Sequence, residues 1–225
     1  MPKPRETKTR TTPRTLPPKN LSATLSDADA APLLIDGAMG TQLEAAGLVP
    51  GGQRCLTDPD IVRDVHRRYV DAGAQLIITN TLTMNPIYIA VHDLGVDMRA
   101  INQAGARLAR EAAGPNRVVL GDMSATGQML EPYGDYTEQQ LEDAFAEQAR
   151  ALAEGGVDAF LIETVFDLRE ALSALRGCQR AAQLPVLVCM AFQTIERGGR
   201  TMMGNSAADC AHALDEAGAA AIGAN

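Results

Sequence analysis

The chain has 225 residues, 46% of them apolar, 21% charged and 4% aromatic, a composition that suits a globular domain and excludes a disordered one. A formal net charge of −8 leaves no electrostatic footprint for nucleic acid, and no apolar run approaches the roughly 20 residues of a membrane-spanning helix. Neither nucleic acid nor membrane is an expected partner, no signal peptide follows the basic start, and a cytoplasmic location is the expectation.

Residues 1–31 differ from the rest, because Lys3, Arg5, Lys8, Arg10, Arg14 and Lys19 face only Glu6 before Asp27, with proline and threonine between them. This predicts a disordered basic tail, read as a flexible extension in preference to a targeting segment. With the tail set aside, 14 basic residues meet 25 acidic ones, so the body is more acidic than the whole chain. The body, residues 32–225, is short against the roughly 250 residues of a typical α/β barrel.

From Leu33 onward a short apolar run, a polar residue at its end, a loop, an amphipathic stretch and a glycine recur in that order. The apolar runs predict strands over Leu33–Asp36, Gln75–Asn80, Arg117–Asp122, Val157–Glu163, Pro185–Phe192 and Ala219–Asn225. Their continuously apolar centres suit a parallel sheet covered on both faces. Between them, Pro59 opens and Gly73 closes a helix with Ile61, Val65 and Tyr69 on one face, and Ile101, Ala104, Gly105 and Leu108 mark a second. Thr137 with Gln140 predicts a capping box before a third helix that Gly155-Gly156 stops; Asp167 with Glu170 predicts the same device for a fourth, and Ser206 caps a fifth. The helix-to-strand joints Asp71–Gln75, Glu154–Asp158 and Glu216–Ala220 resemble one another, as repeated βα units require. Two architectures satisfy such repeats, an open doubly wound sheet and a closed (β/α) barrel.

The residues that close each strand carry the chemistry. They are Asp36, Thr79-Asn80-Thr81, Asp122, Glu163-Thr164, Gln193-Thr194 and Asn225. Any one of them alone marks only where a strand meets solvent, but in a barrel all these ends share one rim, where active sites are built. Three carboxylates there suit an ammonium group or a metal ion and oppose a phosphate. Gly37–Gly40 lacks the dinucleotide-binding spacing and Gly198–Gly204 lacks the lysine of a P-loop, so both glycine groups are read as tight turns. His66, His92 and His212 fall on helices as surface or packing residues, which leaves no nucleophilic triad. Cys55, Cys178, Cys189 and Cys210 form no metal-spaced pair and are read as reduced, mostly buried thiols. The methionines, Met39, Met84, Met123, Met190 and Met202 among them, are read as core filler, several of them close enough to strand ends to line a pocket for an apolar or thioether-bearing ligand.

Taken together, Asp36-Gly-Ala-Met-Gly-Thr41, Thr79-Asn-Thr81, Gly121-Asp-Met-Ser-Ala-Thr-Gly127, Ile162-Glu-Thr164, Gly199-Arg-Thr201 and Gly223-Ala-Asn225 resemble the homocysteine S-methyltransferase family. This is the homocysteine-binding barrel of cobalamin-dependent methionine synthase and of its betaine- and S-methylmethionine-using relatives. The resemblance runs from Leu33 to Asn225 and implies an α/β fold, a (β/α)8 TIM-type barrel of which this chain supplies about six βα units. It implies methyl transfer to the thiol of homocysteine or a similar small thiol, activated by Zn2+ held on three cysteine thiolates. The methyl donor it implies is methylcobalamin on a corrinoid protein or domain, or another electrophilic donor. Asp36 and Glu163 are expected near the homocysteine ammonium, with Gly37, Thr79, Asn80, Thr81, Asp122 and Asn225 completing the substrate-binding set.

Two departures from the family pattern stand out. Ser124-Ala-Thr-Gly127 replaces the usual Gly-Pro-Thr-Gly, and the first zinc cysteine of the family would directly follow Asn225. The expectation is therefore that these 225 residues contain no zinc ligand and no catalytic residue of their own, and that they lack activity as they stand. The competing readings are a non-catalytic binding or assembly module that keeps the acidic pocket, and an unrelated barrel lyase or aldolase working through carboxylates.

Overall fold

The structure, a computed structural model, describes residues 21–27, 29–195 and 198–225. Its sheet contains β1 (Leu76–Ile78), β2 (Val118–Ser124), β3 (Ala159–Val165), β4 (Val186–Met190) and β5 (Ala221–Ala224), paired in that order and parallel throughout. A doubly wound sheet reverses direction at a switch point. Here each strand lies beside its predecessor, so right-handed crossovers stack the helices on one face and the sheet curls as a barrel does. The consecutive order decides between the two architectures.

The first expected strand is corrected. Leu33–Asp36 runs parallel to β1 through a single bridge, Ile35 to Leu76, with Gln75 and Leu76 N–H donating to the Leu34 carbonyl and Asp36 N–H to that of Leu76. The ladder stops there because the next β1 donor, Ile78 N–H, is taken by the Asp36 carboxylate at 3.1–3.2 Å.

The helices are, in chain order, α1 (Leu21–Leu25), α2 (Gly40–Ala45), α3 (Arg54–Thr57), α4 (Pro59–Ala72), α5 (Pro86–Val91), α6 (Met98–Ala113), α7 (Glu138–Gly155), α8 (Leu168–Ala181) and α9 (Ala207–Glu216). Among the described residues no helix is long and apolar enough to cross a membrane. Pro59 sits in the first turn of α4 and Gly73 closes it at φ 108°, a left-handed conformation that glycine adopts without a Cβ penalty. Capping boxes open α7 (Thr137 with Gln140) and α9 (Ser206 with Asp209). The box expected at α8 is absent. Asp167 caps alone through Arg169 N–H at 2.8 Å, and Glu170 turns inward to accept from Thr126 N–H at 2.7 Å and Thr126 Oγ1 at 2.8 Å. Those two donors on the loop after β2 outcompete the helix terminus for its carboxylate.

Two apolar layers result. Ile77, Val119, Met123, Phe160 and Ile162 pack outward against Phe145, Leu152 and Leu175 of the helices, while Leu76, Val118, Leu120, Ala159 and Leu161 fill the barrel interior. β2 is buried along its whole length because both of its faces are covered. The part of the expected tail at residues 1–20 lies outside the described residues. From Leu21, however, the tail reading is corrected, since α1 places Leu21, 1% exposed, against the first residues of β1, β2 and β3 and closes the barrel from its N-terminal side. A basic, proline-rich composition concealed that apolar anchor. Replacing Leu21 with Ala empties a buried leucine site and is expected to lower stability by about 2–5 kcal/mol in urea unfolding.

α7 and α8 approach at Gly177, where a Cβ would stand 2.7 Å from the Glu142 carbonyl oxygen and 2.9 Å from Ala146 N. Those neighbours are helix backbone and do not yield. Gly177→Ala is thus expected to destabilise by roughly 1–3 kcal/mol even though alanine is the better helix former, and a melting temperature at or above the parent's would contradict the close-approach reading.

Candidate functional site

The strand ends meet in a cavity of about 540 Å³ on the C-terminal rim, lined by Asp36, Gly37, Thr79, Asn80, Asp122 and Glu163 together with the loops 38–40, 50–52 and 82–83. Three carboxyl groups from three different strand positions therefore face one space. Asp36 is held by Ile78 N–H, and its pKa is pushed up to about 7, chiefly by burial, with the charge of Glu163 adding to the effect. Asp122 is 5% exposed, with no hydrogen-bond partner for Oδ1. Burial first, then the charge and hydrogen bonding of Glu163, then the charge of Asp36 hold its carboxyl well above the usual carboxylate range.

Thr79 lines the cavity and, together with Thr81, also holds the backbone of Asp122. Asp122 N–H donates to Thr79 Oγ1 at 2.9 Å, and Thr81 Oγ1 donates to the Asp122 carbonyl at 2.8 Å. The 2.6 Å contact between the two hydroxyls must then run from Thr79 to Thr81, since a hydroxyl has one proton to give. The result is a closed ring around the Asp122 backbone. Thr81, fully buried, is absent from the cavity wall, and its carbonyl accepts from Gln148 Nε2 at 3.0 Å. The expectation that Thr81 lines the pocket is corrected: the pair ties the end of β1 to β2 and thereby fixes Asp122.

Asn80 lines the cavity and donates to the Gly51 carbonyl at 3.1 Å, drawing the Pro50–Gly52 loop over the end of β1. That loop was missed as part of the site, although Pro50-Gly-Gly52 is a legible turn signal. Gly37 is also reinterpreted. Its φ lies outside the left-handed region, but a Cβ there would stand 2.9 Å from the Tyr69 hydroxyl, which itself donates to the Ala38 carbonyl at 3.0 Å. The glycine serves close approach and not a turn, whereas Gly198, Gly199 and Gly204 do take positive φ. Asn225 does not line the cavity; it bonds Glu163 and Thr164 at the rim.

The remaining candidates lie elsewhere. His66 is buried in α4 with both ring nitrogens unpartnered, and burial lowers its pKa to about 4. His92 stacks on Tyr88, and His212 sits 3.4 Å from Glu216. Cys55, Cys178 and Cys210 are buried and Cys189 is half-buried in β4; burial raises all four thiols, that of Cys55 to about 12. Among the described residues no group of three or more His, Cys, Asp or Glu is placed to hold a metal ion. Met39 reaches the main cavity, while Met129, Met202 and Met203 line a smaller one of about 140 Å³ beside Phe166 and Glu170.

The model of the homocysteine S-methyltransferase family matches residues 33–225. The chain belongs to that family. Methionine synthase from Mycobacterium leprae is 34% identical over 210 residues, covering 84% of this chain and 17% of that protein; its counterpart from Mycobacterium tuberculosis is 33% identical over the same shares. This family member thus spans 17% of the length of these curated relatives. The homocysteine methyltransferase MmuM from Escherichia coli, in its metallated form, shares the fold with a TM-score of 0.72 at 23% identity, over 88% of this chain and 75% of that one. The consecutive parallel sheet is accordingly part of a TIM-type barrel.

The protonation of the site sets a pH dependence. Asp36 keeps its proton in the folded state up to about pH 7, whereas the unfolded chain releases it near pH 4. Between those values the folded state binds more protons, so stability falls as pH rises. In urea unfolding between about pH 4.5 and 8, Asp36→Asn is expected to flatten that decline, and a variant curve parallel to the parent's would contradict the assignment.

Proposed function

We propose that the rim cavity binds homocysteine and that the protein is a methyltransferase acting on the thiol of this amino acid. The observation that carries this reading is the convergence of Asp36, Asp122 and Glu163 on a single cavity. An ammonium group is the ligand that such a cluster favours, and a carboxylate that accepts a charge-assisted hydrogen bond in a partly buried site contributes more than one in water. The lining also includes Met39, Pro50, Ile78 and Leu82, apolar side chains suited to the methylenes and sulfur of the ligand. Family membership and the methionine synthase relatives support the same acceptor, because methionine is homocysteine with a methyl group on its sulfur.

The chemistry then divides in two. Residues of this chain bind and orient the acceptor, with Asp36 and Glu163 on its ammonium and the threonine ring keeping Asp122 in place beneath them. Zinc activation of the thiol is implied by the family, whereas among the described residues no group of three or more His, Cys, Asp or Glu is placed to hold the metal ion. The donor proposed from the family is methylcobalamin on a corrinoid protein or domain. Any such donor must approach from the strand-end side, where the cavity is lined by the loops.

Titration calorimetry with homocysteine and with 4-mercaptobutanoate, which lacks the amino group, tests the reading. The protein is expected to prefer homocysteine, and Glu163→Gln to weaken its binding by about ten- to a hundredfold, the scale of a lost hydrogen bond between charged groups. Equal affinity for the two thiols in the unchanged protein would overturn the proposal.

A further inference from the structure

Ile162 and Val165 both pack in the helix-side core, three residues apart, which the two-residue period of a regular strand does not permit. The extra residue is absorbed at Glu163-Thr164. There β3 advances three positions, from Ile162 to Val165, while its partner β4 advances two, from Val188 to Met190. Thr164 sits at φ 58°, a left-handed conformation that is a genuine outlier for a β-branched side chain. Glycine would take that conformation freely, yet the position holds a hydroxyl, and Thr164 Oγ1 lies 3.3 Å from Glu163 Oε2.

Asn225 completes the arrangement from two strands away. It follows the last residue of β5, and its own N–H donates to the Met190 carbonyl at the end of β4. From there its side chain reaches back to β3, where Oδ1 accepts from Thr164 N–H at 3.0 Å and Nδ2 donates to Glu163 Oε2 at 2.9 Å. One amide thus satisfies the donor exposed by the bulge and grips the carboxylate that the bulge projects into the cavity.

We propose that Asn225 and the left-handed Thr164 form a clamp that aims the Glu163 carboxylate at the ligand's ammonium, making Asn225 a positioning residue and not a ligand contact. This rests on the homocysteine reading above and adds to it the means by which the discriminating carboxylate is oriented. The two halves of the clamp separate by substitution. Asn225→Asp keeps an acceptor for Thr164 N–H but loses the donor to Glu163, whereas Asn225→Ala loses both.

The test measures, in the unchanged protein and the two variants, the preference for homocysteine over 4-mercaptobutanoate and the hydrogen exchange of the Thr164 amide. Both variants are expected to lose about tenfold in preference, the equivalent of one hydrogen bond to a charged group. The Thr164 amide should stay protected in Asn225→Asp and exchange freely in Asn225→Ala; preference lost in Asn225→Asp while the amide stays protected is the pattern that a merely structural role for Asn225 does not produce. Full preference in Asn225→Asp, or an unprotected Thr164 amide in the unchanged protein, overturns the clamp. Absence of any preference in the unchanged protein overturns the homocysteine reading instead, while amide protection that follows the predicted pattern still supports the geometry of the clamp.

Discussion

The burial of three carboxyl groups beside one another shapes the whole rim. Asp36, Asp122 and Glu163 arise from separate strand positions and face one cavity, and a fold that brings them together must meet both the cost of removing them from water and the cost of their shared charge. The raised pKa values of Asp36 and Asp122 are the physical response, because a proton retained is a charge not buried. Such a site is unfavourable by itself and persists because the surrounding structure over-determines it. On the proposed homocysteine reading, the ammonium of the ligand relieves part of that cost.

That over-determination is visible in the packing. The threonine ring leaves the Asp122 backbone no alternative partner, Ile78 N–H holds Asp36, and the amide of Asn225 holds Glu163. Behind these contacts, the close approach of α7 and α8 at Gly177 and of α6 and α7 at Gly155 draws the helical layer tight against the sheet. Leu21 closes the opposite end of the barrel interior. The site is set on strand ends whose positions are fixed by helices and core, and its loops contribute mainly the apolar wall.

Much of this was legible in the amino-acid order. The Thr137–Gln140 box, the Ser206 cap, the proline that opens α4 and the glycine that closes it are local signals, and the structure contains each of them. The Asp167–Glu170 pair bears the same signature and fails, because Thr126, 44 residues from Glu170, offers that carboxylate a buried partner. Leu33–Asp36 reads as a strand and is reduced to one bridge by its own side chain. In both cases a long-range donor outcompeted a local preference.

By itself the sequence determined the five strands of the sheet, the helices α4 and α6 to α9 and the presence of acids at the strand ends, since these follow from apolar periodicity and from residues adjacent in the chain. It could not determine which of the polar strand-end residues face the cavity. Thr81 reads as a pocket residue, yet its buried hydroxyl closes a ring with that of Thr79 on Asp122, and Asn225 lies off the cavity wall and bonds Glu163. Only the tertiary structure decided those roles. A side chain's direction at a strand end depends on the curl of the sheet, on a bulge such as that at Thr164, and on partners 41 and 61 residues away whose proximity no local pattern encodes.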